Sequence, residues 1–424
     1  MRVPAPPSLI AGQLLFLFAL GLYRREALAG TAKALSRAPL AAVLGGLAAS
    51  TALLILPWPF AAPVLPAALF CMAATFCFTL CGTASRAILS LLRHRGALRR
   101  RILVIGAGLR AWDLDWLLRK EGRSVGYDLL FVHSADMGPA DPRLAAQYGS
   151  HIIKAEQGFL TIAQAFAADQ IVVAPDERRG LAMRDLLACR TAGFPVMEYL
   201  QFLENEIGRI DIKRLELGWL LYAEGFTFRL GTRSLKRLLD IAVSATMLLL
   251  TSPFLLATAI AVKLDDLGPI LYRQSRVTLG GRSFEIMKIR TMRTDAERAG
   301  AVWAAERDPR ITRIGRFLRR TRLDELPQLI NVLRGDMSFV GPRPERPEFT
   351  RELAEKLPLY EERHLVKAGL TDWAQVNYPY GASLDDARSK LSYDLYYVKN
   401  WGLLFDVMII LQTLRVVLWP GGVR

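Results

Sequence analysis

The sequence predicts a membrane protein of α/β type in three parts: N-terminal transmembrane helices, a parallel α/β domain, and a C-terminal, mainly helical unit with a re-entrant membrane helix. Three observations predict it. Residues 38–85 contain no Asp, Glu, Lys or Arg, enough for two crossings of about 20 residues each. From about residue 100, short apolar runs alternate with longer mixed segments, the pattern of strands with covering helices. Residues 236–263 form a second long apolar stretch, with Ser252-Pro253 near its middle and cationic residues at both ends. At 424 residues and 52% hydrophobic, the chain is too apolar to be wholly water-soluble and long enough for two or three domains.

Two or three helices are expected in residues 1–92. Pro57-Trp58-Pro59-Phe60 divides the first apolar run and suits a turn at the membrane–water boundary, where indole sits and proline ends helices. Residues 9–23 are shorter and contain Gln13, so they read as a tilted span or an interfacial helix. The net charge of +15 is concentrated here: residues 1–101 carry eleven Lys or Arg and a single acid, Glu26. The bases gather at Arg24, Arg25, Lys33 and Arg37, and again at Arg93, His94, Arg95, Arg99, Arg100 and Arg101. By the positive-inside rule both flanks are cytoplasmic. Bases that border apolar spans are explained by topology and anionic lipid, so no nucleic-acid partner is expected. No small-residue cleavage site marks the first segment as a signal peptide. Cys71, Cys77, Cys81 and Cys189 form no CxxC pair and no cluster with histidine, so neither disulfides nor zinc are expected.

In the middle of the chain, residues 102–106, 127–133, 151–153, 170–174 and 194–197 read as strands with helical stretches between them. This βα alternation implies a Rossmann-like, CoA-binding-like cytoplasmic domain over residues 100–224. Its first turn, Gly106-Ala107-Gly108-Leu109-Arg110-Ala111, fits the dinucleotide fingerprint, in which glycine lets the backbone approach a pyrophosphate at a helix N-terminus. The acid that would bind the ribose is missing where it should stand: His133-Ser134 precede Asp136. A structural or regulatory module with no cofactor-binding residues is therefore expected.

Residues 234–424 hold the chemistry. In residues 236–263 proline removes a backbone donor, so a bend is expected at Ser252-Pro253. Bases at both ends favour a re-entrant helix that enters and leaves by the cytoplasmic face. A kinked true span would instead place everything after Lys263 outside. Strand-like pieces around Gly280-Gly281 lead to Lys288, Arg290 and Thr291. Arginines then recur at every third position, Arg307, Arg310, Arg313, Arg316, Arg319 and Arg322. Period three drifts around a helix, so some of these must be solvated or lipid-facing. The series ends at Asp324-Glu325, and carboxylates beside guanidinium groups stay ionised near neutral pH. An ionised carboxylate can attack phosphorus if cations offset the phosphate charge. A second carboxylate can hold Mg2+, which draws much of its shell from phosphate oxygens and water. The same pair could also cap a helix beginning near Pro327.

The pieces KRLLD, YRQSRV, KIRTM, DPRITRIGRFLRRTRLDELPQLINVLRGDMSFVGPRP and GLTDWAQVNY, with the Ser252-Pro253 break, closely resemble the bacterial sugar transferase domain of polyprenyl-phosphate hexose-1-phosphate transferases, the monotopic phosphoglycosyl transferases. PERPEF and VNYPYGAS resemble the exopolysaccharide-associated subgroup of the large form. The resemblance implies a ping-pong transfer of hexose 1-phosphate from a UDP-sugar, UDP-glucose or UDP-galactose, to undecaprenyl phosphate at the cytoplasmic face of the bacterial inner membrane. Asp324 matches the nucleophile, which releases UMP and becomes a phosphosugar adduct. Glu325 matches its partner, associated with Mg2+. Lys288, Arg319 and Arg343 match basic residues around the phosphates, and Pro342 and Pro344 frame Arg343. Membrane lipid is an implied partner, and a homodimer is compatible with the resemblance.

Thr278 departs from the family pattern where glycine is usual, and Ala368 and Asp372 stand where Pro and Gly are usual, which bears on local loop geometry. The large form begins with four membrane helices and three at most are counted here, so either a further helix precedes them or the N-terminus lies outside. Two other classes compete. A membrane-anchored nucleotide-sugar dehydratase of short-chain type needs a Tyr-x-x-x-Lys pair, and no tyrosine here has lysine four residues later. A non-catalytic scaffold would leave the carboxylate–arginine set without a role.

Overall fold

The computed structural model describes residues 98–178, 181–212, 225–226, 230–265, 268–294, 308–378, 381 and 383–418, with most of 80–96 and three residues before them. The expected N-terminal spans and the turn at Pro57 fall almost wholly outside the described residues. The chain divides into two compact units, Met1–Gly208 and Arg209–Arg424.

In the first unit five parallel strands, β1 (Arg100–Ile105), β2 (Tyr127–His133), β3 (Ile152–Lys154), β4 (Gln170–Val173) and β5 (Val196–Glu198), pair in the order β3-β2-β1-β4-β5. The alternation of a strand with both faces covered is visible in β1. Ile102 and Val104 pack with Leu114 and Leu118 of α1 (Leu109–Lys120), while α2 is Pro142–Tyr148. Leu103 and Ile105 join the opposite cluster, with Ile162 of α3 (Phe159–Phe166) and Leu186 of α4 (Met183–Thr191). Phe202 of α5 (Tyr199–Ile207) closes the first face.

The glycine turn after β1 is filled by the protein itself. Asp176 accepts hydrogen bonds from the amides of Leu109 (2.7 Å) and Arg110 (2.9 Å), the N-terminal donors of α1. Glycine at 108 is what lets this carboxylate approach, because a Cβ there would lie 2.1 Å from Asp176 Oδ2. The amides that a pyrophosphate would use are thus committed to an internal anion.

The second unit begins with Ile210 and Ile212 packed among Leu357, Tyr360, Leu391 and Leu395. Its longest element is α6 (Leu230–Asp265), 36 residues, about 54 Å at the usual rise. It is the one helix among the described residues long and apolar enough to cross a membrane, and it leaves Leu249, Leu250, Phe254 and Leu256 exposed. The helix continues through Pro253. Pro253 has no N–H for the carbonyl of Leu249, one turn back. Ser252 supplies a substitute donor, its hydroxyl reaching Leu249 O at 2.8 Å, which matters in an apolar segment where water is absent.

The start of α6 is bolted to the remainder of the unit by the polar residues of KRLLD. Lys236 Nζ donates to Val340 O (3.0 Å) and to Asp406. Arg237 donates to Val332 O and Leu333 O, both at 2.6 Å. Asp240 accepts from Ser338 Oγ (2.9 Å) and Phe339 N (3.0 Å). The elements so joined follow in chain order. An antiparallel pair, β6 (Leu271–Val277) and β7 (Ser283–Ile289), precedes α7 (Arg313–Thr321), α8 (Gln328–Arg334) and β8 (Ser338–Val340). Then come α9 (Pro347–Lys356), β9 (Gly369–Thr371) parallel to β8, α10 (Trp373–Asn377), α11 (Leu384–Lys399) and α12 (Leu403–Leu418). Ile286, Leu329, Val332, Phe339, Tyr397 and Ile409 form the core between them. The unit is mainly helical, as expected.

Gly108→Ala should displace the Asp176 carboxylate and forfeit a helix N-terminal acceptor, lowering stability by about 1–2 kcal/mol. Thermal unfolding of the full-length protein measures this, and an unchanged transition would show that Asp176 does not brace the turn.

Candidate active site

Asp324 and Glu325 share a short 3-10 turn, Leu323–Glu325, between α7 and α8. Its position is set from both sides. Thr312 starts α7 by accepting from Gly315 N at 2.9 Å. Gly315 lies so close to Thr291 that a Cβ would stand 2.0 Å from the Thr291 carbonyl oxygen. Arg322 ends α7 in the left-handed conformation (φ 62°), which costs a non-glycine residue about 1–2 kcal/mol. Leu323 then packs with Val262 and Leu255 of α6, Ile289 of β7 and Leu318 of α7. The dyad is not a helix cap in the structure: α8 starts after Pro327 without a side-chain cap.

Three cations from three elements converge on one oxygen, Glu325 Oε1. Arg343 Nη2 donates to it at 2.9 Å, Lys288 Nζ stands 3.5 Å away and Arg322 Nη1 3.7 Å away. Burial pushes the Glu325 carboxyl up, but Arg343, Lys288 and Arg322 overcome this and hold it well below the usual carboxylate range. Glu325 in turn raises Arg343. Burial lowers Lys288, with Glu325 opposing. Asp324 behaves in the opposite way. It is 8% exposed, and its Oδ1 has no hydrogen-bond partner among the described residues. Burial, then the Glu325 charge, raise its carboxyl to about 6 against Lys288, Arg319 and Arg322. Glu325 is thus a fixed charge, and Asp324 a more basic carboxylate with one buried oxygen that has no hydrogen-bond partner among the described residues.

The structure therefore brings together five of the residues singled out from the sequence: Asp324, Glu325, Lys288, Arg319 and Arg343. Arg319 is oriented by donating Nε–H to Thr291 Oγ1 at 2.9 Å. Pro342 and Pro344 flank Arg343 and need no amide partner; Pro342 O accepts from Gly369 N at 2.9 Å. Arg313 and Arg316 are exposed, as period three required, and Arg310 forks onto Asp308, with Nε to Oδ1 at 2.9 Å and Nη2 to Oδ2 at 2.6 Å. Ser252 and Pro253 lie in α6.

Sequence reasoning assigned no site role to Arg322, although it closes the arginine series before the dyad, nor to Arg276 and Arg363. Arg322 was legible in retrospect, three residues before Glu325 on a turn. Arg276 of β6 is depressed by burial, offset by Glu345, and its Nε has no partner among the described residues. Arg363 had no local signal at all.

Two of the three departures from the family pattern compensate each other. Thr278 Oγ1 accepts from Ala368 N at 3.1 Å and donates to Asp336 O at 3.0 Å. A proline at 368 would have no N–H, so a glycine at 278 would leave no amide at 368 in need of an acceptor. With alanine, the threonine hydroxyl becomes the needed acceptor. Asp372, the third departure, caps α10 by accepting from Gln375 N.

A carboxylate pair in a cradle of cations stands on a unit bolted to a helix long and apolar enough to cross a membrane, the marks of a membrane-associated protein. The chain belongs to the bacterial sugar transferase family, whose model matches residues 231–420. It is 38% identical over 223 residues to the UDP-glucose:undecaprenyl-phosphate glucose-1-phosphate transferase of Caulobacter vibrioides, covering 51% of this chain and 84% of that protein. It is 41% identical over 252 residues to the UDP-N-acetylgalactosamine-undecaprenyl-phosphate N-acetylgalactosaminephosphotransferase of Aeromonas hydrophila, covering 59% of this chain and 58% of that protein. With the exopolysaccharide production protein PSS of Rhizobium leguminosarum bv. phaseoli it shares 42% identity over 185 residues, 42% of this chain and 92% of that protein. The chain thus spans little more than half of the Aeromonas protein.

Thr278→Gly should cost about 1–3 kcal/mol by stranding the buried Ala368 amide, and adding Ala368→Pro should restore most of it. Chemical unfolding of the single and double variants decides; losses that simply add would refute the compensation.

Proposed function

We propose that the chain transfers a hexose 1-phosphate from a UDP-sugar to undecaprenyl phosphate through a covalent aspartyl intermediate, as the initiating step of exopolysaccharide biosynthesis. The observation that carries this reading is the buried, unpartnered Asp324 Oδ1 beside a Glu325 gripped by Arg343, Lys288 and Arg322. Two acids whose environments push their ionisation apart are suited to different roles. Asp324, raised but ionised at neutral pH, is the nucleophile. Glu325, held far below the usual range, is a poor proton acceptor and serves to organise charge.

In the first half-reaction an Asp324 carboxylate oxygen attacks the phosphorus that carries the sugar. An aspartyl–phosphosugar P–O bond forms, and the P–O bond to UMP breaks, UMP leaving with the electron pair. In the second, a phosphate oxygen of undecaprenyl phosphate attacks the same phosphorus, and Asp324 leaves as a carboxylate. Lys288, Arg319, Arg322 and Arg343 offset the diphosphate charge in a water-poor site. The residues fit Mg2+ in this way: Glu325 would hold it, a carboxylate beside the unpartnered Asp324 Oδ1, since the cation takes much of its shell from phosphate oxygens and water. When bound, Mg2+ supplies further neutralisation of the diphosphate. The printed names of the relatives support the class of donor and acceptor but differ in sugar, glucose in one and N-acetylgalactosamine in another. UDP-glucose or UDP-galactose is proposed here.

The site is placed on the cytoplasmic side of the bacterial inner membrane, with α6 re-entrant. Support comes from the bases at both ends of the apolar stretch and from the Ser252-Pro253 pair. Cysteines replacing Gly231 and Gly280 should both react with a reagent confined to the cytoplasm; labelling of position 280 only from the other side would rule out the re-entrant path.

Asp324→Asn should leave stability within about 1 kcal/mol, since Oδ1 has no hydrogen bond to lose, and abolish UMP release, because an amide is a poor nucleophile. Wild-type protein given UDP-sugar without acceptor should show a hexose-phosphate adduct on the Asp324 peptide by mass spectrometry. UMP release should fall as pH drops through about 6, since Asp324 protonates there and loses its nucleophilic form. EDTA should stop turnover, and Mg2+ restore it. Near-normal turnover by Asp324→Asn would mean direct transfer without a covalent intermediate.

A further inference from the structure

We propose that Arg363 is a positioning residue for the reaction: anchored on Asp394, it holds the Arg343 backbone so that the Arg343 guanidinium is presented to Glu325 and to the incoming diphosphate. The inference rests on the phosphosugar-transfer reading above and extends it to a residue outside the dyad and its cations.

Arg363 lies in a 3-10 segment, Glu361–Leu365, and is only 5% exposed. A buried guanidinium is costly unless its charge and donors are met. Here Nη2 lies 2.8 Å from Asp394 Oδ2 on α11 and donates to the Arg343 carbonyl at 2.8 Å, while Nη1 donates to the Tyr360 hydroxyl at 2.7 Å. Nε has no partner among the described residues, so the two Nη atoms alone orient the group. Asp394 and Tyr360 are themselves buried, which makes this a rigid mount.

The mount acts on one peptide unit. The Gly341–Glu345 loop is pinned at Gly341 N to Thr371 O (3.0 Å), at Pro342 O by Gly369 N (2.9 Å) and at Glu345 O by Val277 N (3.0 Å). Between these backbone pins, the carbonyl of Arg343 is held by a charged side chain, and Arg343 is the residue whose guanidinium grips Glu325. Proline on either side denies the loop the amides with which it could find another register. Arginine is required at 363 because its fork reaches the carbonyl, the carboxylate and the phenol together, whereas an ammonium on a flexible stem would have to choose among them. A core arginine with a purely structural task would contribute equally whatever stood at position 343.

The test is a double-mutant cycle on the full-length protein, read in UMP release from UDP-sugar and separately in the affinity for UDP. Arg363→Lys is expected to lower kcat/KM about 10- to 100-fold, the cost of misplacing a charge near the reacting groups. In an Arg343→Lys background the same change should cost less than about 3-fold, because the group it positions is already altered. Tyr360→Phe, which removes one bond to Arg363 without changing volume, should give a loss of about fivefold with the same non-additivity, and it stands in if Arg363→Lys fails to fold. Equal losses in both backgrounds would overturn the proposal. Absence of UMP release by the wild type would overturn the transferase reading instead, and the cycle in UDP affinity would still decide whether Arg363 acts through Arg343.

Discussion

One carboxylate oxygen, Glu325 Oε1, dictates the layout of the catalytic unit. Lys288 from β7, Arg322 from the end of α7 and Arg343 from the loop after β8 must all come within 4 Å of it, and like charges do not gather unless each element is fixed by other means. Asn331 supplies one such means: buried on α8, it accepts from Met287 N and donates to Glu285 O, both in β7, and so locks the strand that bears Lys288. The left-handed Arg322 is another, a local strain held by the packing of Leu318 and Leu323. The third is the loop of Arg343, pinned by its neighbours' backbone and by Arg363.

Unequal access to the cations then separates the chemistry of two adjacent acids. Asp324 and Glu325 share a turn and two cations, Lys288 and Arg322, yet one is raised and the other depressed. The difference lies in distance and not in residue type, because the direct contacts of all three cations go to Glu325. What remains for Asp324 is a desolvated position with an open oxygen. A carboxylate in water would be more stable but less reactive toward a phosphorus centre.

Much of the fold was legible because its signals are local. The five strands of the first unit follow from apolar runs of strand length, and their parallel pairing follows from the helical spacing between them. The dyad stood out because the arginine series ends on it, whereas Lys288, Arg319 and Arg343 were singled out by the resemblance to the bacterial sugar transferase domain. What could not be read was any partner distant in sequence. The glycine turn looked open to a pyrophosphate because nothing near it names Asp176, 67 residues beyond Leu109. The helix runs on through Pro253, where the hydroxyl of the preceding serine reaches the carbonyl that proline leaves without a donor, a contact that no sequence pattern names. Thr278 and Ala368, 90 residues apart, looked like two separate irregularities and are one hydrogen bond.

The same long reach governs when the catalytic unit becomes complete during synthesis. Lys236 is buried at the head of α6, and its counter-charge, Asp406, lies 170 residues later. Chains emerge N-terminus first, at about 5–20 residues per second, so α6 is made roughly ten to thirty seconds before Asp406 exists. Over that interval the ammonium of Lys236 has to stay hydrated, since an unpaired buried charge is strongly disfavoured. The head of the helix must therefore remain at the water boundary until α12 docks, and the Val340 carbonyl at the root of the Arg343 loop receives its lysine only then. The apolar helix is therefore made well before the cationic site is complete, and α12 closes the contact at its head.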